Sequence, residues 1–183
     1  YMTIKALESL KELKADPNLK VIPITTRSVA QFKRVGAVQD CEFAITSNGG
    51  NILYNGVIFE PWKKHIDSVL EKYKNEFKGI EEYLLRFEKD FEKMPTFVDG
   101  MFIYVKLLDN DNRNQEILNH LDNDLDKDKW SFTLQGLKLY VIPKEISKEN
   151  ALSYLKTYLK EDRVAVSGDG KLDLGFLKFG DIR

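Results

Sequence analysis

Two apolar runs near opposite ends of the chain end abruptly in polar residues: KVIPITT, from Lys20 to Thr26, and RVAVSGD, from Arg163 to Asp169. Each is bordered by helix-like sequence, so strand, helix and strand alternate at both ends. That is the pattern of a parallel sheet with crossover helices, because parallel neighbours need a connection long enough to cross the sheet. Between them the style changes to hairpins and paired helices. The expected fold is therefore α/β, a Rossmann-like parallel-sheet core built from residues 1–54 and 143–183, with an α+β cap domain inserted at 55–142.

The local signals support this division. Ile4, Leu7, Leu10 and Leu13 mark an amphipathic helix from about Thr3 to Ala15, closed by Asp-Pro-Asn. Ser28 is placed to cap a helix over SVAQFKRVGA, and EFAITSNGG is a short strand closing on Asn-Gly-Gly. NILYNGVIFE has the Asn55-Gly56 pair of a type I′ hairpin. From Pro61 to about Lys93, Ile66, Val69, Leu70, Tyr73 and Phe77, then Ile80, Tyr83, Leu84 and Phe87, recur at helical spacing. TFVDGMFIYVKLL is strand material, NRNQEILNHLDNDL a short helix, and WSFTLQGLKLYVIP a hairpin turning at Gln135-Gly136. SKENALSYLKTYLKE is a helix, and LDLGFLKF begins another.

At 183 residues, with 28 basic and 29 acidic side chains and a net charge of −1, nothing favours nucleic acid or an anionic membrane as a partner. No apolar run approaches the length of a membrane span. The single cysteine, Cys41, has no internal partner and suits a reducing compartment, so the expected location is cytoplasmic. The chain begins on a helix at Tyr1 and stops as another apolar element is due, which suggests that both ends continue.

In open α/β sheets, ligands sit at the carboxyl ends of the strands. Thr25 and Thr26 end one candidate strand, Ser47-Asn48-Gly49 another, and Asp169 a third. Asp173 follows Asp169 by about one helical turn, so both carboxylates can face one crevice. They would repel each other without a cation, and hard oxygens at a strand end suit Mg²⁺. Lys148 opens the helix leading into that strand. Taken alone, GDGKLD is a turn followed by a helix N-terminus, where aspartates are favoured anyway; the convergence of three elements is what points to a phosphate site.

These residues carry a resemblance to the haloacid dehalogenase-like phosphatase superfamily, in particular its Cof-type and sucrose-phosphatase-like branch with a large cap. VIPITTRS resembles the second motif, which implies Thr25 as the phosphate-binding hydroxyl and Arg27 as a substrate contact. AITSNGGNILYNG resembles the segment before the cap, with Asn48 and Gly49 facing substrate. VIPKEISKENAL resembles the third motif and implies Lys148 as its lysine. VAVSGDGKLDLGFL resembles the fourth, with Asp169 as the metal ligand and Asp173 as its supporting acid. Leu172 stands where many relatives carry a polar residue. The resemblance implies a Mg²⁺-dependent phosphohydrolase of a small phosphorylated metabolite, such as a sugar phosphate, working through an aspartyl-phosphate.

One motif is missing. An apolar strand ending in Asp-x-Asp should precede the opening helix, and residues 1–183 contain none; Asp124-Leu125-Asp126 has no such strand before it. These residues alone are expected to be inactive. The alternative is a silent module of the same fold that binds a phosphorylated ligand or a protein. A nucleotide-binding protein is disfavoured, since no glycine-rich phosphate loop occurs. His65 and His120 are far apart, Cys41 has no nearby histidine, and the stretch from Asp109 lacks the glycine and final glutamate of a calcium loop. The aromatics Trp62, Tyr73, Phe77, Tyr83, Phe87 and Phe91 fall at core spacing, with room for one or two to shape a pocket.

Overall fold

The computed structural model describes residues 3–182. The chain opens on α1 (Ile4–Ala15), whose first turn is capped by the Thr3 hydroxyl accepting from the Ala6 N–H. None of its residues is fully buried, and Ile4 is 78% exposed. The expected strand over VIPI shrinks to one parallel bridge, Ile24 to Ile45, held by Thr25 N–H to Ile45 O and Ile45 N–H to Pro23 O. Pro23 has no N–H to give, which limits how far that ladder can extend. Next comes α2 (Val29–Phe32), with Ser28 and Gln31 in a reciprocal capping box.

The first sheet runs β1 (Phe43–Thr46), β2 (Asn51–Tyr54), β3 (Val57–Ile58), all antiparallel. Asn55 and Gly56 turn its hairpin at φ 48° and 75°, as the type I′ signal requires. Because β3 pairs with β2, this sheet extends past residue 54. One face packs Phe43, Ile45 and Ile52 into the main core, while the other packs Ala44 and Leu53 against Phe32.

The long helix α3 (Glu60–Leu84) buries Trp62, Ile66, Val69, Tyr73, Phe77, Ile80 and Leu84 along one stripe. It stops earlier than its periodicity suggests. A tight 3₁₀ turn over Leu85–Asp90 follows, and Phe91 already begins a strand. The second sheet contains β4 (Phe91–Val98), β5 (Phe102–Leu107), β6 (Trp130–Gln135) and β7 (Lys138–Pro143) in the antiparallel order β4-β5-β7-β6. Between β5 and β6 lies α4 (Asp111–Asp124). The stretch read as one run of strand material is thus a hairpin, turning at Asp99-Gly100 with φ 49° and 74°. Ile103, Val105, Leu107, Leu139 and Val141 are wholly buried in one core with the apolar stripes of α3 and α4. Their alternating neighbours, Phe102, Tyr104, Lys138 and Tyr140, lie on the opposite face.

The chain ends with α5 (Lys148–Leu159), capped by Ser147, and α6 (Leu174–Phe179). Ala165 pairs in parallel with Ile182. The α/β character of the core therefore rests on two parallel pairings. A groove of about 140 Å³ lies where both meet, lined by Ile22, Ile24, Leu152, Val166 and Phe176. Among the described residues no helix is long and apolar enough to cross a membrane.

Candidate functional site

The turn after β1 is the hub of the site. Ser47, Asn48 and Gly49 hold successive positive φ values of 52°, 57° and 96°, a run that side chains other than glycine rarely adopt. The turn clamps the segment after Ile24, because Ser47 N–H donates to Arg27 O at 2.8 Å and Asn48 N–H to Thr25 O at 3.1 Å. It also reaches the start of α5. The Asn48 amide nitrogen donates to Ile146 O at 3.3 Å. Gly49 passes so close that a Cβ there would sit 2.1 Å from Ser147 O. From α3, the Trp62 indole N–H donates to Gly49 O at 2.9 Å.

That contact fixes the beginning of α5, and with it Lys148. Its ammonium pairs with the Asp173 carboxylate at 2.5 Å, in a site where the two residues are 6% and 8% exposed. The second oxygen of Asp173 accepts the backbone N–H groups of Asp169 at 3.1 Å and Gly170 at 2.8 Å. Burial pushes the Asp173 carboxyl up, but Lys148 and the two amides outweigh it and hold the group below the usual carboxylate range. Gly168 is needed as well, since a Cβ would meet Asp173 side-chain atoms at 2.8 Å. Asp173 thus shapes the loop that carries Asp169. Asp169 itself is exposed and its carboxylate makes no hydrogen bond or ion pair among the described residues.

Of the residues singled out from the sequence, Lys148, Asp173 and Asp169 form one cluster. Asn48 and Gly49 adjoin it through Ile146 and Ser147. Thr25 bonds Asn48 through its carbonyl, while its hydroxyl accepts the Arg27 N–H at 3.2 Å and makes no hydrogen bond to Lys148, Asp169 or Asp173. Thr25 and Arg27 open into a cleft of about 310 Å³ facing the second sheet. Asn48 borders a second cleft of about 310 Å³ with Ser131, Thr133 and Lys171, and its buried Oδ1 has no partner among the described residues. No group of three or more His, Cys, Asp or Glu positioned for a metal occurs among the described residues. The cluster therefore offers a single free hard-oxygen donor, Asp169.

The sequence reading missed Asp99. From the β4–β5 turn its carboxylate accepts the Val29 N–H at 2.9 Å, the Ser47 hydroxyl, and the Asn51 amide at 3.4 Å, tying the second sheet to the hub. The Asp-Gly pair signalled a turn, but nothing local said what the aspartate would reach. The residues set aside have structural roles. His65 lies against Trp62 with ring centroids 4.9 Å apart, and burial pushes the Cys41 thiol up, away from reactivity. Asp124 accepts the Tyr83 hydroxyl, and burial together with that bond pushes Tyr83 up to about 12.

A family model described as haloacid dehalogenase-like hydrolase matches residues 19–182. Among solved structures, the sucrose-phosphatase of a Synechocystis species, in complex with sucrose and phosphate, aligns with a TM-score of 0.74 at 19% identity, covering 100% of this chain and 76% of that one. A haloacid dehalogenase-like hydrolase from B. subtilis aligns at 0.60 and 14% identity, covering 97% and 80%. A member studied among phosphatases of the haloalkanoate superfamily, from Bacteroides thetaiotaomicron, aligns at 0.58 and 16%, covering 97% and 74%. No curated protein sequence matches the chain. At such identities the structural likenesses establish the fold.

Proposed function

The chain belongs to the haloacid dehalogenase-like hydrolase family, and from that premise we propose that it serves a Mg²⁺-dependent phosphohydrolase acting on a small phosphorylated metabolite of the sugar-phosphate kind. The observation that carries this reading is the buried Lys148–Asp173 pair, whose carboxylate also fastens the loop of Asp169. A buried ion pair is weak as a stabilising device. Here it leaves a carboxylate free and an ammonium with further donors at a strand end, which is what a phosphoryl group and a divalent cation need.

The donor set fits Mg²⁺, which takes one or two protein carboxylates and completes its shell with water and phosphate oxygens. Asp169 would hold it, and the bound ion would offset the charge of the phosphoryl group. Lys148 keeps two donors beyond its bond to Asp173; these and the Thr25 hydroxyl would grip phosphoryl oxygens. Asn48 Oδ1, buried and unpartnered, would accept from a substrate hydroxyl. Residues 55–142 would act as the cap, excluding water over the site. The nucleophile, a carboxylate that becomes the aspartyl-phosphate, would come from outside residues 1–183. The groove beside Ile24 and Val166 would seat the strand that carries it. The lone cysteine agrees with a cytoplasmic setting.

Protein including any upstream segment its gene encodes is expected to hydrolyse p-nitrophenyl phosphate with Mg²⁺. Asp169→Asn should lower that rate by at least about a hundredfold, measured as kcat at saturating metal. Undiminished turnover in the variant would overturn the assignment. Phosphate binding with no turnover would favour the second reading, a silent module that recognises a phosphorylated ligand; the single free carboxylate of the cluster is what keeps that reading open.

A further inference from the structure

Two clefts open along the face of the second sheet that carries Phe102, Tyr140 and Ile142, and their charges differ. The one beside Asn48 mixes Lys144 and Lys171 with Glu149. The one beside Thr25 is lined by Arg27, Arg34 and Lys138 and by no carboxylate. These cations come from three separate places: the segment after Ile24, the residues just past α2, and the start of β7. None of them makes an ion pair or hydrogen bond through its side chain among the described residues.

The neighbouring charges are already committed. Asp99, next to Val98 in the cleft wall, is held by Val29, Ser47 and Asn51. Lys138 stands directly opposite Lys106 in the β5–β7 register, and Glu92, the nearby acid, pairs with Lys106. Like charges opposite each other weaken a sheet, so Lys138 lacks the local compensation that a merely solvated surface lysine would find. Tyr104 and Tyr140, with centroids 5.5 Å apart, present two rings on the same wall. Arginine forks suit carboxylate and phosphate alike.

We propose that this cleft is a subsite for a second anion on the substrate: the ester hydrolysed has an alcohol portion that itself carries a carboxylate or another phosphate. The inference rests on the phosphohydrolase reading for the direction of the substrate, with the transferred phosphoryl group toward Thr25 and the second anion toward Arg34 and Lys138. Tyr104 and Tyr140 would form the wall along which the carbon skeleton lies.

Calorimetry tests this with three probes at fixed low salt: glucose bisphosphate, phosphoglycerate and glucose monophosphate. At least one of the first two is expected to bind about tenfold more tightly than the monophosphate, a difference of one well-made charge contact. Whichever does so tells phosphate from carboxylate. Replacing Arg34→Gln and Lys138→Gln together should erase that preference, and both sites are exposed and unpaired, so folding is not at stake. Equal binding of all three probes, no binding of any, or a preference that survives the double substitution overturns the subsite. The calorimetry uses protein including any upstream segment its gene encodes, and hydrolysis of p-nitrophenyl phosphate by that protein reports on the phosphohydrolase reading separately. Turnover without an anion preference removes only the subsite, and an anion preference without turnover removes only the hydrolase.

Discussion

Lys148→Met is expected to cost about 3–5 kcal/mol of folding stability, because it leaves the buried Asp173 carboxylate without its cation. Chemical denaturation measures this directly. A loss below about 1 kcal/mol would mean that water reaches Asp173 and that the pair is not a structural unit. The double variant Lys148→Met, Asp173→Leu separates structure from chemistry. Replacing a whole buried pair by apolar groups is often close to neutral, so stability should largely return while phosphate binding stays lost. Return of both would remove Lys148 from the site.

The same pair gives a pH dependence. Asp173 is held below its ordinary value of 3.8 in the folded chain. Its contribution is therefore complete above that value and fades as the pH falls through the depressed one. Unfolding midpoints of the unsubstituted protein should fall in that acid window, and Asp173→Asn should flatten the fall. An equal acid slope in both proteins would assign the effect to other carboxylates.

Gly49→Ala is the second large effect. The new Cβ would lie 2.1 Å from Ser147 O and 3.0 Å from Lys148 N, at a backbone φ of 96°. Backbone strain and overpacking each cost on the order of 1–3 kcal/mol, so a loss of about 3 kcal/mol is expected. In a chain of this size that is a drop of roughly 6–12 °C in Tm. Gly79→Ala is the control, since nothing lies within 4 Å of a Cβ there in mid-α3, and it should stabilise by about 0.5–1 kcal/mol. If Gly49→Ala melts like the control, α5 is not seated on the hub turn. The glycine read from the sequence as a substrate contact would then have no packing role to explain it.

Much of the architecture was legible because its signals are local. Ser28 caps the helix its position announces, and the helices read from about Thr3 and over SKENALSYLKTYLKE both form. Asn55-Gly56 fixed a hairpin, since few residue pairs tolerate two positive φ angles. The stripe from Trp62 to Leu84 could only be a helix with one buried face. The ends of elements were less legible. Phe87 and Phe91 continue a helical rhythm in sequence, yet α3 stops and Phe91 enters a strand, because pairing with β5 outweighs a weak local preference.

Residue types and their order along the chain marked Thr25, Asn48, Lys148, Asp169 and Asp173 as candidates, since strand ends and helix starts are where polar side chains can converge. Which of them touch was decided in three dimensions. Asp173 was expected to support a metal, and its carboxylate is shared between Lys148 and the amides of its own loop. Asp99 carried only a turn signal, and Arg34 and Lys138 none. Their neighbours are elements distant in sequence, as when the β4–β5 turn brings Asp99 to Val29, Ser47 and Asn51, and patterns of period two or 3.6 cannot encode such contacts.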